Sequence, residues 1–158
     1  MDNRIITKIK HKDGRTLVEW YISGEKGDDS HALESPDLPD QDFCKALDAL
    51  IPWALQLTDH DEAYGAHMKA TGVTLSYDSE GTMAATITAL KTLKNTKVIP
   101  VNTPHMPCEV KAAGIPTLPL GCTNAIETLK TEAIAYIDRK RQQEDLPGIG
   151  GAKKTNAA

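Results

Sequence analysis

The stretch from Val73 to His105, VTLSYDSEGTMAATITALKTLKNTKVIPVNTPH, constrains the fold more than any other part of the chain, because it reads as one unit of three antiparallel strands. Val73, Leu75 and Tyr77 alternate with Thr74, Ser76 and Asp78, the period of two expected of a strand with one buried face. Asp78-Ser79-Glu80-Gly81 reads as a turn, with Gly81 free to take positive φ. Thr82 to Leu93 admits two readings. Met83, Ile87, Leu90 and Leu93 also sit at helical spacing, but Thr82, Thr86, Ile87, Thr88 and Thr92 are β-branched and fit a pleated surface better than a helix. The strand is therefore the reading adopted. Lys94-Asn95-Thr96 is a second turn, and Lys97 to Val101 returns as the third strand.

The rest of the chain supplies partners for this meander. Ile5 to His11 and Thr16 to Ser23 read as strands joined at Lys12-Asp13-Gly14-Arg15, where Asp-Gly between alternating segments signals a hairpin. Val18, Trp20 and Ile22 share one face of the second strand, so Trp20 is expected in the core. His31 to Glu34 is a possible third short strand. From Asp40 to about Leu57, Phe43, Ala46, Leu47, Leu50, Ile51, Ala54 and Leu55 recur at steps of three and four, an amphipathic helix that Pro52 should kink. Cys44 is expected on its buried face. Asp59 to Thr71 reads as a linker or short helix, and Met106 to Thr123 as an extended surface loop. Asn124 with Glu127 forms a capping-box pattern before a second helix that should run to about Gln143, burying Ile126, Leu129, Ala133 and Ile137.

Three strands and a helix thus occur twice. The expectation is a single α+β domain over residues 1–143, a two-layer structure with two long helices on one face of an antiparallel sheet and a pseudo-duplicated βββα-βββα order. Residues 144–158 have too little apolar surface to offset ordering entropy and are read as a disordered tail.

A net charge of −4 argues against a general polyanion binder while allowing a local basic patch. Such a patch exists: Lys8, Lys10, Lys12 and Arg15 make the first hairpin basic, whereas Glu25 to Asp42 is acidic. No apolar run approaches the roughly 18 residues of a membrane span, so a soluble, cytoplasmic protein is expected. Three cysteines, Cys44, Cys108 and Cys122, at no framework spacing suit a reducing compartment.

Catalytic patterns are weak. His105 and Cys108 form the best metal candidate, with Cys122, His60 and His67 elsewhere, but structural zinc needs a second ligand pair, so neither metal nor cofactor is expected. Asp59, Asp61 and Glu62 lack EF-hand spacing and read as a solvated acidic loop. Cys108 with His105, or Ser76 and Ser79 beside Asp78, could be listed as nucleophiles, yet no nucleophile elbow or protease motif accompanies them. Gly148-Ile149-Gly150-Gly151 follows a helix rather than a strand, which is the wrong context for a phosphate loop. No catalytic residue is assigned and an enzyme is not indicated. The basic hairpin, by contrast, carries Trp20 and Tyr21 beside its lysines, so Lys8, Lys10, Lys12 and Arg15 are the candidate nucleic-acid contacts.

SYDSEGTMAATITALKTLKNTKVIPVNTPHMP and the earlier SPDLPDQDFCKALDALIP resemble small bacteriophage and prophage accessory proteins of no settled activity, over most of residues 15–143. The resemblance carries over no functional residue. It implies an early-expressed accessory protein of the host-cell cytoplasm, acting in phage DNA replication or recombination or against a host defence. The leading expectation is a non-enzymatic binding protein for single- or double-stranded DNA or for proteins that handle it. The alternative is a regulator or inhibitor of a host protein, with Asp28, Asp29 and Glu34 as its contact surface.

Overall fold

The computed structural model describes residues 3–110 and 112–145. Asp13 and Gly14 both take positive φ, 54° and 75°, and close the hairpin of β1 (Ile5–Lys12) and β2 (Arg15–Gly24). β3 (Gly27–Ser35) is longer than its alternation suggested, because it pairs with β2 along its whole length, from Gly24 opposite Gly27 to Thr16 opposite Ser35. β4 (Met68–Tyr77), β5 (Met83–Thr92) and β6 (Val98–Asn102) form the expected meander. Thr82 to Leu93 is strand rather than helix, and Met83, Ala85, Ile87 and Ala89 alternate into the core.

All pairs are antiparallel, in the order β3-β2-β1-β4-β5-β6, with the two-residue β7 (Met106–Pro107) also beside β5. The halves meet where β1 pairs with β4, Ile9 opposite Val73. β4 begins five residues before Val73 because the register shifts between Ala70 and Gly72. That bulge changes the phase of the buried positions, so Met68 and Ala70 do not continue the Val73, Leu75 alternation and a period-two reading stops there.

The helix expected from Asp40 to Leu57 is two helices, α1 (Gln41–Asp48) and α2 (Ile51–Leu57). Asp40 caps α1 by accepting from the Phe43 amide at 3.0 Å. Pro52 has no N–H to give Asp48, so the helix cannot run through it. It sits instead in the first turn of α2, where no donor is needed. Cys44, expected in the core, is only partly buried, on the flank of the stripe that Phe43 and Leu47 bury. A short 3₁₀ helix (Glu62–His67) then leads into β4.

α3 (Leu120–Asp145) starts four residues before the expected cap. Asn124 therefore lies inside the helix, its carbonyl accepting from Thr128 Oγ1 at 3.0 Å, and Glu127 pairs with Lys130 at 3.2 Å rather than closing a capping box. In the expected surface loop of residues 106–123 the described residues from 109 to 116 are exposed as expected, whereas its two ends are tied down, through β7, buried Leu118 and buried Cys122. α3 also continues through the first two residues read as tail, and residues 146–158 lie outside the described residues.

One core cluster joins one side of the strands to the helices. Ile6, Ile9, Val18, Trp20, Val73 and Ile87 share it with Phe43, Leu47, Leu50, Leu129 and Ile137. α3 packs on α1, and the Tyr136 hydroxyl donates to the Asp37 carbonyl at 3.0 Å beside a Lys140–Asp37 ion pair. Strand residues of the opposite parity, Lys8, Lys10, Leu17, Thr74, Ser76 and Thr86 among them, remain half-buried or exposed. Among the described residues this second sheet face is open, carrying half-buried and exposed side chains. Among the described residues no helix is long and apolar enough to cross a membrane.

Candidate nucleic-acid interface

On β1 every second side chain points the same way, so Lys8, Lys10 and Lys12 form a row on the open face with spacings of roughly 6.7 Å, twice the rise per strand residue. Lys8 stands opposite Glu19 of β2 and Thr74 of β4, and Lys10 opposite Leu17 and Gly72. The three lysines line a hollow of about 210 Å³ whose other walls are Thr74, Thr88 and Asn102, so it runs from β1 across β4 and β5 to β6. Gly72 explains how β1 and β4 approach so closely there. A Cβ on it would lie 1.9 Å from the Ile9 carbonyl oxygen. The floor carries hydroxyls, with Thr71 Oγ1 donating to the Thr88 carbonyl at 3.2 Å.

The four predicted cations divide into two kinds. Among the described residues Lys8, Lys10 and Lys12 have no ion pair and no side-chain hydrogen bond. Arg15 is committed: its Nε donates to Glu34 at 2.9 Å across the β2–β3 pair. It borders a second hollow of about 270 Å³ together with Lys10 and Lys12. Trp20 is 3% exposed, stacked on His31 at 5.4 Å with Arg141 above it, and so is not presented to a base.

Farther along the open face His105 bridges two strands. Its Nε2 lies 2.6 Å from Ser76 Oγ and its Nδ1 2.8 Å from Thr86 Oγ1, so each ring nitrogen shares a hydrogen bond with one hydroxyl. Both ring nitrogens are thus engaged by hydroxyls rather than by a carboxylate. Asp78 is occupied in its turn, accepting from the Glu80 and Thr82 amides at 2.9 Å. Cys108 is partly buried beside Met83, and Cys122 lies in the core, where burial pushes its thiol up to about 11 and keeps it protonated.

Asp61 caps the 3₁₀ helix through the Ala63 amide at 3.0 Å, and the His60 ring lies edge-on to Tyr64. Asp40, Asp42 and Glu132 come within 4.8 Å of one another, a grouping invisible in sequence because α3 supplies its third member. Asp40 there already caps α1 and pairs with Arg139 at 3.1 Å. The glycine run at 148–151 lies outside the described residues.

The acidic candidates sit on β3 at the sheet edge. Asp28 stands opposite Ser23 and Glu34 opposite Leu17, on the open-face parity, whereas Asp29 stands opposite Ile22 on the other. Asp29 contacts His31 at 3.1 Å, and Glu34 holds Arg15. Sequence reasoning found the lysine row but missed Thr71, Thr74, Thr88 and Asn102 as its neighbours. The alternation of threonines in β5 was the available signal; the β1–β4 pairing that brings them beside the lysines was not readable. Compared with protein-family models, curated proteins and solved structures, the chain matches none.

Proposed function

We propose that the chain is a non-enzymatic binding protein, a phage accessory factor in the sense its resemblance implies, that takes a nucleic-acid backbone on the open face of its sheet. The observation that carries this reading is the row of three lysines, which make no ion pair among the described residues, set in a hydroxyl-lined hollow. In a protein of net charge −4, a row of three cations that make no direct ion pair, although Glu19, Asp13 and Glu34 lie around it, is where a polyanion finds the most favourable potential on this face. Phosphate contacts of this kind give affinity without base readout, and the burial of Trp20 agrees with such a mode.

Fluorescence anisotropy with labelled oligonucleotides at low salt tests the reading. Binding should weaken steeply with salt, and it should become much weaker and nearly independent of salt when Lys8, Lys10 and Lys12 are replaced together by Ala. A flat titration up to roughly 100 µM protein, the weak end of non-specific nucleic-acid binding, would end it. The alternative, a regulator acting on a host protein through Asp28, Asp29 and Glu34, draws on the exposure of β3 as an edge strand. It requires binding that tolerates the lysine replacements and fails when those carboxylates are neutralised.

A further inference from the structure

We infer that the hollow on the open face is a track for single-stranded nucleic acid, with successive phosphates on Lys8, Lys10 and Lys12 and the sugars over the threonine floor. This rests on the reading that the face takes a nucleic-acid backbone, and it specifies which form of nucleic acid fits. The lysines line a recess rather than crown a ridge. From β1 to β6 is three strand spacings, about 14 Å, and the recess holds about 210 Å³, so it takes the sugar and phosphate of one nucleotide while the neighbouring nucleotides of the same strand run along the lysine row at its mouth. A double helix presents its phosphates on a convex surface, and its readers usually insert a protruding helix or ribbon into a groove. A single strand is thin enough to enter and can extend along β1.

The composition of the walls agrees with this occupant. The lysine spacing of roughly 6.7 Å suits one phosphate per cation along an extended strand. Thr74 and Thr88 offer hydroxyls to sugar and phosphate oxygens, and Gly72 leaves the floor without a side chain beneath them. Across the recess Leu90 and Pro100 supply an apolar surface that any base can lie against, whatever its hydrogen-bonding edge. With no exposed Trp in the recess, electrostatics should dominate. Affinity is then expected to be modest, indifferent to sequence and strongly dependent on salt.

The experiment compares a fluorescein-labelled oligothymidylate, a mixed-sequence duplex of the same length, and an oligothymidylate with a neutral methylphosphonate backbone, each titrated at several salt concentrations. The expected result is about tenfold tighter binding of the single strand than of the duplex, no binding of the neutral backbone, and a log–log salt slope near 2, from three contacts at ~0.7 each. Lys8→Ala/Lys10→Ala/Lys12→Ala, checked for an unchanged melting temperature, should flatten that slope toward zero. Duplex bound as tightly as the single strand would overturn the track while leaving the nucleic-acid reading standing. Preference for the single strand with an unchanged slope in the triple variant would overturn the site. If no oligonucleotide binds, the functional reading fails together with the inference.

Discussion

Gly72 has the least tolerant environment of any described glycine, because its α-carbon faces the backbone of β1 rather than a flexible side chain. Neither strand can yield there without losing the Lys10–Gly72 pairing. Gly72→Ala should therefore cost on the order of 3 kcal/mol or more, placing it among the severe single substitutions, and denaturant titration measures it. A midpoint equal to that of the parent would mean that the two strands can separate freely. Cys122 makes a different prediction. Below pH 9 its thiol is protonated in both folded and unfolded chains, but from pH 9 to about 11 the unfolded thiol ionises while burial keeps the folded one neutral. Stability is thus lost as pH rises through that window, by at most about 3 kcal/mol for two units at roughly 1.4 each. Cys122→Ala should remove this component from the pH dependence of the denaturation midpoint, and an unchanged profile would contradict the assignment.

Elements were legible where one local period ran without interruption. β5 could be read from Thr82, Thr86, Thr88 and Thr92 because their β-branched stiffness outweighed an accidental helical spacing. The start of β4 could not be, since the bulge at Thr71 resets the phase, and a bulge is fixed by the partner strand. α3 escaped in a similar way: Asn124 and Glu127 have the composition of a cap, but the chain from Leu120 onward is already helical, with the Thr123 amide bonded to the Pro119 carbonyl at 3.1 Å. Leu50 lies at the break between α1 and α2 and is 0% exposed, so Leu50→Ala should cost ~2–5 kcal/mol, read as a lowered denaturation midpoint. β6 carries a second element-scale device. The Lys97 carbonyl accepts from Leu93, one residue past β5, and the Thr103 amide donates to Ile87 of β5, so the backbone groups at odd positions of β6 face β5 and Pro100 turns its nitrogen outward. An edge strand with exposed Val98 and Ile99 thereby lacks the central donor a joining strand would need. Pro100→Val should shift the protein toward larger species in size-exclusion chromatography with light scattering. A variant as small as its parent would show that something other than Pro100 guards the edge.

At the scale of the whole sheet the two candidate charge groups are separated by strand order: the lysine row lies on β1, and Asp28, Asp29 and Glu34 lie on β3 two strands away at the edge. The signs were readable in the sequence as a basic hairpin followed by an acidic segment, and the sheet order supplies the distance between them. That distance matters because β2 alone separates the two, so β3 can both repel a polyanion and hold Arg15 out of the row. The Arg15–Glu34 contact at 2.9 Å is an exposed pair contributing at most about 1 kcal/mol to stability, so it can be removed with the fold intact. Glu34→Gln should release Arg15 beside Lys12, its register partner on β1, and extend three available cations to four. The salt slope for single-stranded oligonucleotide binding should then steepen by ~0.7, and affinity should rise most at low ionic strength, where screening is weakest. Glu34→Gln/Arg15→Ala should return the slope to its parental value, since only the freed guanidinium can supply the extra contact. A slope unchanged in Glu34→Gln would show that Arg15 does not reach the bound strand, confining the interface to β1 and the floor beside it.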